Sequence, residues 1–130
     1  MSFLPRWSPQ LLSIFRIMFG LLFMEHGTAK LFGFPHVDMF VNVQLMSLMG
    51  AAGVLELIGG ALVVLGLFAE VTAFVLSGEM AVAYFMVHAP QGFFPILNQG
   101  EGAILYCFAF LYLAAAGPGP WSVDRAILKR

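Results

Sequence analysis

The stretch QLLSIFRIMFGLLFMEHGTAKLF, residues 10–32, decides the fold class. It is apolar over the roughly 20 residues that a helix needs to cross a ~30 Å hydrocarbon core. Pro9 precedes the stretch, where proline favours the start of a helix, and Gly33 follows it, where glycine favours the end. Three further apolar stretches have comparable length: about 47–68, 71–88 and 98–116. The sequence therefore predicts four transmembrane helices.

The composition also indicates an integral membrane protein. Of the 130 residues, 61% are hydrophobic and only 10% are charged, and the mean hydropathy is +0.92. A soluble domain of this length needs a more charged surface. The predicted fold is an all-α four-helix bundle that forms one transmembrane domain over residues 1–130 and has the lipid bilayer as its main partner.

Charge and cysteine content exclude several function classes. The formal net charge of −1 leaves no basic surface for nucleic acid. A single cysteine, Cys107, excludes an internal disulfide and a site with several thiolate ligands.

The connections between the spans predict two features. Only AEV (69–71) separates spans two and three, which predicts a tight antiparallel hairpin. The connection at 34–48 places Val37, Phe40 and Val41 at helical spacing, which favours a short helix lying in the membrane interface.

The distribution of lysine and arginine predicts the orientation. The connections at 34–46 and 89–97 carry neither residue, whereas the two tails carry all of Arg6, Arg125, Lys129 and Arg130. Positive residues favour the cytoplasmic side of a membrane. Both termini are therefore expected in the cytoplasm, with the protein in a bacterial inner membrane.

Ionisable residues lie inside the predicted spans, where a charge without a partner is costly. Their depth, at ~1.5 Å per residue, predicts three pairs. These are Arg16 with Glu79 as a structural ion pair, Lys30 with Glu101, and Glu56 with His26.

Most of these groups fall in the outer half of the bundle and predict a buried polar cluster or ligand site. Its members are His26, Lys30, Glu56, His88 and Glu101. Paired charges can instead serve only to fix the register of the helices, and both interpretations stay open. Gly53 and Gly60 share a face with Glu56, which predicts close approach by a neighbouring helix. No H-x-x-x-H or E-x-x-H spacing is present, so no metal site is predicted.

Glu25 points away from the stripe that contains Arg16 on the first helix. Three explanations are open. The first helix is contacted on two sides, Glu25 faces a partner subunit, or its protonated carboxyl faces lipid.

Several motifs resemble those of the DoxX family. RIMFGLLFMEHGTAKLFGF (16–34) resembles the family's first helix, and ELIGGALVVLGLF (56–68) is similar to its second. HAPQGFFP (88–95) and GEGAILYCFAFLYLAAAGPGPWSVD (100–124) resemble its ending, with a glycine–proline–glycine exit and a serine-x-aspartate. The resemblance covers almost the whole chain.

The resemblance implies a small four-helix membrane protein. Relatives of the family include the DoxD subunit of a thiosulfate:quinone oxidoreductase, and some DoxX proteins are linked to membrane-associated oxidoreductase and thiol-stress systems. Carried over by position, the family's polar residues are Arg16, His26, Lys30, Glu56, His88 and Glu101.

Three functions compete, and the sequence leaves open whether the protein is an enzyme. The first is a redox-associated, quinone-interacting subunit that works beside an oxidoreductase. Lys30, His26 and Glu101 are expected to contact the quinone headgroup. Phe23, Phe108 and the glycine face of helix two are expected to form an apolar slot for the quinone tail. The sequence has no flavin, haem or iron–sulfur motif, so a partner subunit would hold the electron-carrying cofactor. The second function is an accessory or anchor subunit of a larger membrane complex, or of a homo-oligomer, and the third is a small-solute or proton path.

Overall fold

In the computed structural model, which describes residues 2–128, all regular structure is helical. A π-helical turn, Tyr84–His88, continues the third helix, and a 3-10 turn, Ala89–Gln91, follows it. The prediction of an all-α membrane bundle is confirmed. The α-helices are α1 (Ser8–Phe32), α2 (Leu48–Leu65), α3 (Ala69–Ala83), α4 (Pro95–Asn98), α5 (Glu101–Ala116) and α6 (Val123–Leu128).

The long helices differ in their ability to cross a membrane. Within the described residues, three helical stretches are long and apolar enough: Pro5–Phe32, Leu48–Leu65 and Ala69–Gln91. The fourth long helix, α5, has 16 residues and is ~24 Å long. It begins later than the predicted residue 98, because Gln99 adopts a left-handed conformation with φ of 61° and separates α4 from α5. Four membrane crossings therefore stay a prediction.

The connection between α2 and α3 is the predicted tight hairpin, although its position differs. The helices are joined by residues 66–68, a few residues before the expected break. Gly66 and Phe68 both have positive φ, of 71° and 51°, which reverses the chain within three residues.

The predicted short helix between α1 and α2 is present as one 3-10 helix, Asp38–Phe40, and its position in the membrane interface stays a prediction. The rest of the segment is irregular, with turns and bends. The end of the segment leads directly into α2. The Ser47 hydroxyl donates to the Gln44 carbonyl and accepts from Gly50 N at 3.1 Å, so Ser47 caps the start of α2.

Helix α1 packs along α2, and α3 packs along α5. A Cβ added to Gly27 would lie 2.6 Å from Leu57 N, and one added to Gly60 would lie 3.0 Å from Gly20 O. The α1 and α2 backbones are therefore nearly in contact, as the small-residue face predicts.

Both ends of the described chain lie at one end of the bundle, since Trp121 N donates to Ser13 Oγ at 3.1 Å. We call this the terminal end, and the opposite end, which carries residues 33–47, the loop end. Lys129 and Arg130, used to predict the orientation, lie outside the described residues. The side of the membrane that each end faces stays a prediction.

Candidate functional site

At the terminal end, Arg16 is a structural residue. It is 1% exposed, and its Nε donates to Val63 O at 2.8 Å. The last carbonyls of a helix lack full pairing within it, and Arg16 donates to two of them at the end of α2, Val63 O and Val64 O. The predicted Arg16–Glu79 ion pair is wrong, since backbone carbonyls take all the guanidinium contacts. The other acceptors are Pro118 O and Trp121 O.

Asp124 binds backbone groups at the start of α3, as Arg16 does at the end of α2. Its carboxylate accepts from Phe68 N at 2.8 Å and Ala69 N at 2.9 Å, and its own N–H donates to Gly66 O at 2.9 Å. A carboxylate at a helix N-terminus satisfies free N–H groups and complements the helix dipole. Sequence reasoning assigned Asp124 no role, although the serine-x-aspartate motif contains it.

Deeper in the bundle, Lys30 forms an ion pair with Glu56. Lys30 Nζ donates to Glu56 Oε2 at 2.8 Å, and the two side chains are 9% and 1% exposed. The Phe40 ring from the loop end also covers the ammonium group, 5.4 Å from ring centroid to Nζ. The predicted Lys30–Glu101 pair is therefore wrong.

Glu79 joins this pair from a third helix. The Leu76 side chain of α3 lies against Gly59 of α2, which places Glu79 beside Glu56 and within electrostatic reach of Lys30. Oε1 of Glu56 and Oε1 of Glu79 are both buried without a hydrogen-bond partner among the described residues. We call Lys30, Glu56 and Glu79, contributed by α1, α2 and α3, the interior network.

His26 lies beside the interior network. Its ring is within electrostatic reach of Glu56, Lys30 and Glu25, but no hydrogen bond of this ring is found among residues 2–128. The predicted Glu56–His26 bond is not found among these residues, and Glu56 bonds to Lys30 instead. The His26 side of α1 is exposed at the bundle surface.

A row of aromatic rings connects α1 to α5 on this side. The Tyr106 ring lies 5.6 Å from the His26 ring, nearly perpendicular at 87°, and 5.2 Å from the Phe23 ring. Rings at such distances and angles attract each other. We call the row the aromatic seam, and its members are Phe15, Phe19, Phe23 and His26 of α1 with Tyr106, Phe110 and Tyr112 of α5.

Glu25 is exposed beside the aromatic seam. It lies within electrostatic reach of both His26 and Tyr106, so its charge acts on the α1–α5 contact. Of the three explanations offered by the sequence, contact of α1 on two sides agrees with this position.

His88 and Glu101 do not belong to the interior network. His88 Nδ1 bonds to Asn98 O at 3.0 Å, and Glu101 is exposed in the first turn of α5. Asn98, which is fully buried, organises this part of the loop end by donating to Gly92 O at 2.9 Å and accepting from Gly100 N at 2.8 Å. Of the five residues predicted to form a cluster, the structure brings Lys30 and Glu56 into contact and places His26 beside them, and it places His88 and Glu101 elsewhere.

The predicted apolar slot is also wrong in part. Phe108 is 64% exposed on α5, and α1 fills the glycine face of α2. Phe23 is buried as expected and lies in the aromatic seam.

Two cavities border these features. One of about 250 Å³ lies at the loop end between Lys30 and residues 31–43. Another of about 1010 Å³ lies at the terminal end and is lined by Phe15 and Tyr112 of the aromatic seam, among others. Among residues 2–128, no group of three or more His, Cys, Asp or Glu side chains could hold a metal ion.

The fold and the site define a small helical membrane protein with a charged interior. The DoxX family model matches residues 11–89, and the chain belongs to the DoxX family. It is 41% identical over its whole length to an uncharacterized protein of Haemophilus influenzae Rd, which is also covered completely.

Two more distant relatives are membrane proteins by name. The inner membrane protein YqjF of Escherichia coli K12 is 28% identical, with 88% of this chain and 90% of the relative covered. The uncharacterized membrane protein Rv3486 of Mycobacterium tuberculosis H37Rv is 25% identical, with 88% of this chain and 80% of the relative covered. No solved structure matches the chain.

Proposed function

We propose that the protein is a quinone-interacting membrane subunit that works beside an oxidoreductase, and that the quinone headgroup binds at the aromatic seam next to His26. The position of His26 carries this proposal. Its imidazole lies well inside an apolar helix, at the exposed surface of the bundle and beside the Tyr106 ring. Polar side chains that face hydrocarbon are costly, so we infer that a ligand from the bilayer provides the missing partner.

The residues of the aromatic seam fit a quinone. Such a ligand needs hydrogen-bond donors for its carbonyl oxygens and apolar walls for its ring and tail. The His26 imidazole and the Tyr106 hydroxyl supply donors, and the Phe19 and Phe23 rings supply the wall. When bound, a quinone carries electrons together with protons.

The interior network supports proton movement at this position. Glu56 and Lys30 lie within electrostatic reach of His26, so the carboxylate favours a proton on the imidazole and the ammonium opposes it. Since the sequence has no flavin, haem or iron–sulfur motif, electrons would have to come from a cofactor of a neighbouring protein.

We place this subunit in the bacterial inner membrane with both termini in the cytoplasm. The absence of lysine and arginine from residues 34–46 and 89–97 supports this orientation. The name of the Escherichia coli relative, an inner membrane protein, is consistent with the location.

The proposal is tested by titrating the detergent-purified protein with a quinone that has a short alkyl tail, with calorimetry as the measurement. His26→Phe retains an aromatic ring and removes both nitrogens. We expect about tenfold weaker binding, because the loss of one hydrogen bond costs on the order of 1.4 kcal/mol. His36→Phe is the matched control, since His36 is a loop histidine whose side chain is 70% exposed. Equal affinity of both variants, or no binding by the unaltered protein, would contradict the proposal.

Glu25 favours a second function, that of an accessory subunit. An exposed carboxylate inside an apolar helix suits a cationic side chain of another membrane subunit or of a second copy. Glu25→Gln should then release the partner chain from the purified complex. Native mass analysis measures this effect, and no change in the chains that co-purify would contradict this alternative.

A further inference from the structure

Two carboxyl groups lie side by side in the bundle interior, where two carboxylates would repel each other. Glu56 is 1% exposed, and the antiparallel packing of α2 and α3, in which the Leu76 side chain lies against Gly59, places Glu79 opposite it. A carboxylate oxygen only accepts hydrogen bonds, so contact between two carboxylates makes repulsion and no bond. The buried Oε1 atoms of both residues have no other partner among the described residues. The arrangement requires one additional hydrogen.

The charges around Glu56 and Glu79 also favour one additional proton on this pair. Lys30 is the cation in contact with Glu56. Its ammonium donates to Oε2 of Glu56, whereas Oε1 of Glu56 is the oxygen without a partner. One lysine balances one carboxylate, which leaves the second carboxyl uncompensated at low dielectric. The other groups that act on this pair are His26 from α1 and Tyr106 from α5.

We propose that Glu56 and Glu79 together hold one exchangeable proton as a carboxylic acid–carboxylate pair, with Lys30 balancing the remaining negative charge. In this state the Glu79 O–H donates to Glu56 and satisfies both orphaned oxygens. Release of the proton leaves two carboxylates against one ammonium, and uptake of a proton restores neutrality. A sodium ion could satisfy the same oxygens, but it would bring a second cation next to the Lys30 ammonium.

A cavity at the loop end approaches the site. It has a volume of about 250 Å³ and is bordered by Lys30 and by loop residues that include His36 and Phe40. Lys30 is 9% exposed and directly contacts Glu56, so it lies between this cavity and the carboxyl pair. The pair is therefore one side chain away from the cavity.

This site does not rest on the quinone proposal, although a proton-holding pair beside His26 could serve a quinone there. Quinone-free protein must contain the same proton. Failure of quinone binding and absence of the proton are consequently separate results.

Infrared spectroscopy tests the proposal directly. The protein is labelled with ¹³C-glutamate and purified in a detergent without carbonyl groups, so that a protonated glutamate gives an assignable C=O band. Glu25→Gln serves as the parent, because an exposed carboxyl in an apolar helix could give a band of its own. At neutral pH we expect one carboxylic acid band in the parent, a shift of this band in D₂O, and its loss after the added substitution Glu79→Gln.

Four results would overturn the proposal. They are the absence of the band in the parent, its survival in the Glu79→Gln variant, its insensitivity to D₂O, and its loss on addition of NaCl in place of KCl. The first and third measurements need no variant at the site, so they decide the matter even if Glu79→Gln does not fold. Glu56→Gln, which keeps the shape of the partner carboxyl, provides a second variant that should also lose the band.

Discussion

Replacing Lys30 by Met removes the only ammonium group that contacts Glu56 among the described residues, and we expect a large loss of stability. Met keeps most of the volume of the lysine side chain, so the change is mainly electrostatic. The Glu56 side chain is 1% exposed and cannot turn to water. Removing one partner of a buried ion pair costs about 3–5 kcal/mol.

We expect the lower end of this range, about 3 kcal/mol, because the Glu56–Glu79 pair can take up a further proton and reduce its charge. For a chain of this length the loss corresponds to a decrease in Tm of roughly 10 °C. Thermal unfolding in detergent, followed by tryptophan fluorescence, measures it. Arg6→Met is the matched control, since Arg6 is an exposed cation, and it should change Tm little.

The double substitution Lys30→Met with Glu56→Gln identifies the cause. If the unpaired carboxylate is the reason for the instability, removing its charge should recover at least half of the lost Tm. Equal Tm values for Lys30→Met and Arg6→Met would refute the reasoning, and so would a double variant that is less stable than Lys30→Met alone.

Three further predictions concern the packing, the helix ends and the topology. Gly27→Ala should destabilise the protein by about 1–3 kcal/mol, because the added Cβ would lie 2.6 Å from Leu57 N. At Gly78 an added Cβ meets no atom within 4 Å, so Gly78→Ala should stabilise α3 by up to about 1 kcal/mol. Thermal unfolding separates the two, and equal Tm changes would contradict the close approach of α1 and α2. Asp124→Ala should cost about 1–2 kcal/mol through loss of the cap on α3, while Asp38→Ala, at a side chain 98% exposed, should leave Tm unchanged. Reporter fusions at the C-terminal end and within 89–97 should report opposite sides of the membrane, and the same side for both would reject the four-span topology.

The features that depend on one helix at a time could be predicted from the sequence. Apolar length predicts the membrane helices, and the glycines at 53 and 60 predict the close approach of α2 to α1. Depth along a helix also placed His26, Lys30 and Glu56 in one region correctly. These properties follow from the regular geometry of a single helix.

Pairing between helices could not be predicted in the same way, because depth does not give rotation or tilt. Arg16 has a plausible depth for Glu79, but backbone carbonyls at the end of α2 accept its hydrogen bonds. Lys30 likewise bonds to Glu56, on the adjacent helix, and Glu101 stays at the surface. The competition between side-chain acids and free backbone groups depends on where helices end, which the sequence fixes only to within a few residues.

Photoaffinity labelling of the purified protein with an azidoquinone tests the central claim most directly. The reagent is activated in detergent, and the labelled peptides are identified by mass spectrometry with and without an excess of unlabelled quinone. We expect labelling that the unlabelled quinone prevents, located on α1 around His26 and on α5 around Tyr106. Labelling that unlabelled quinone does not reduce, or that is concentrated at the terminal-end cavity near Tyr112, would contradict it.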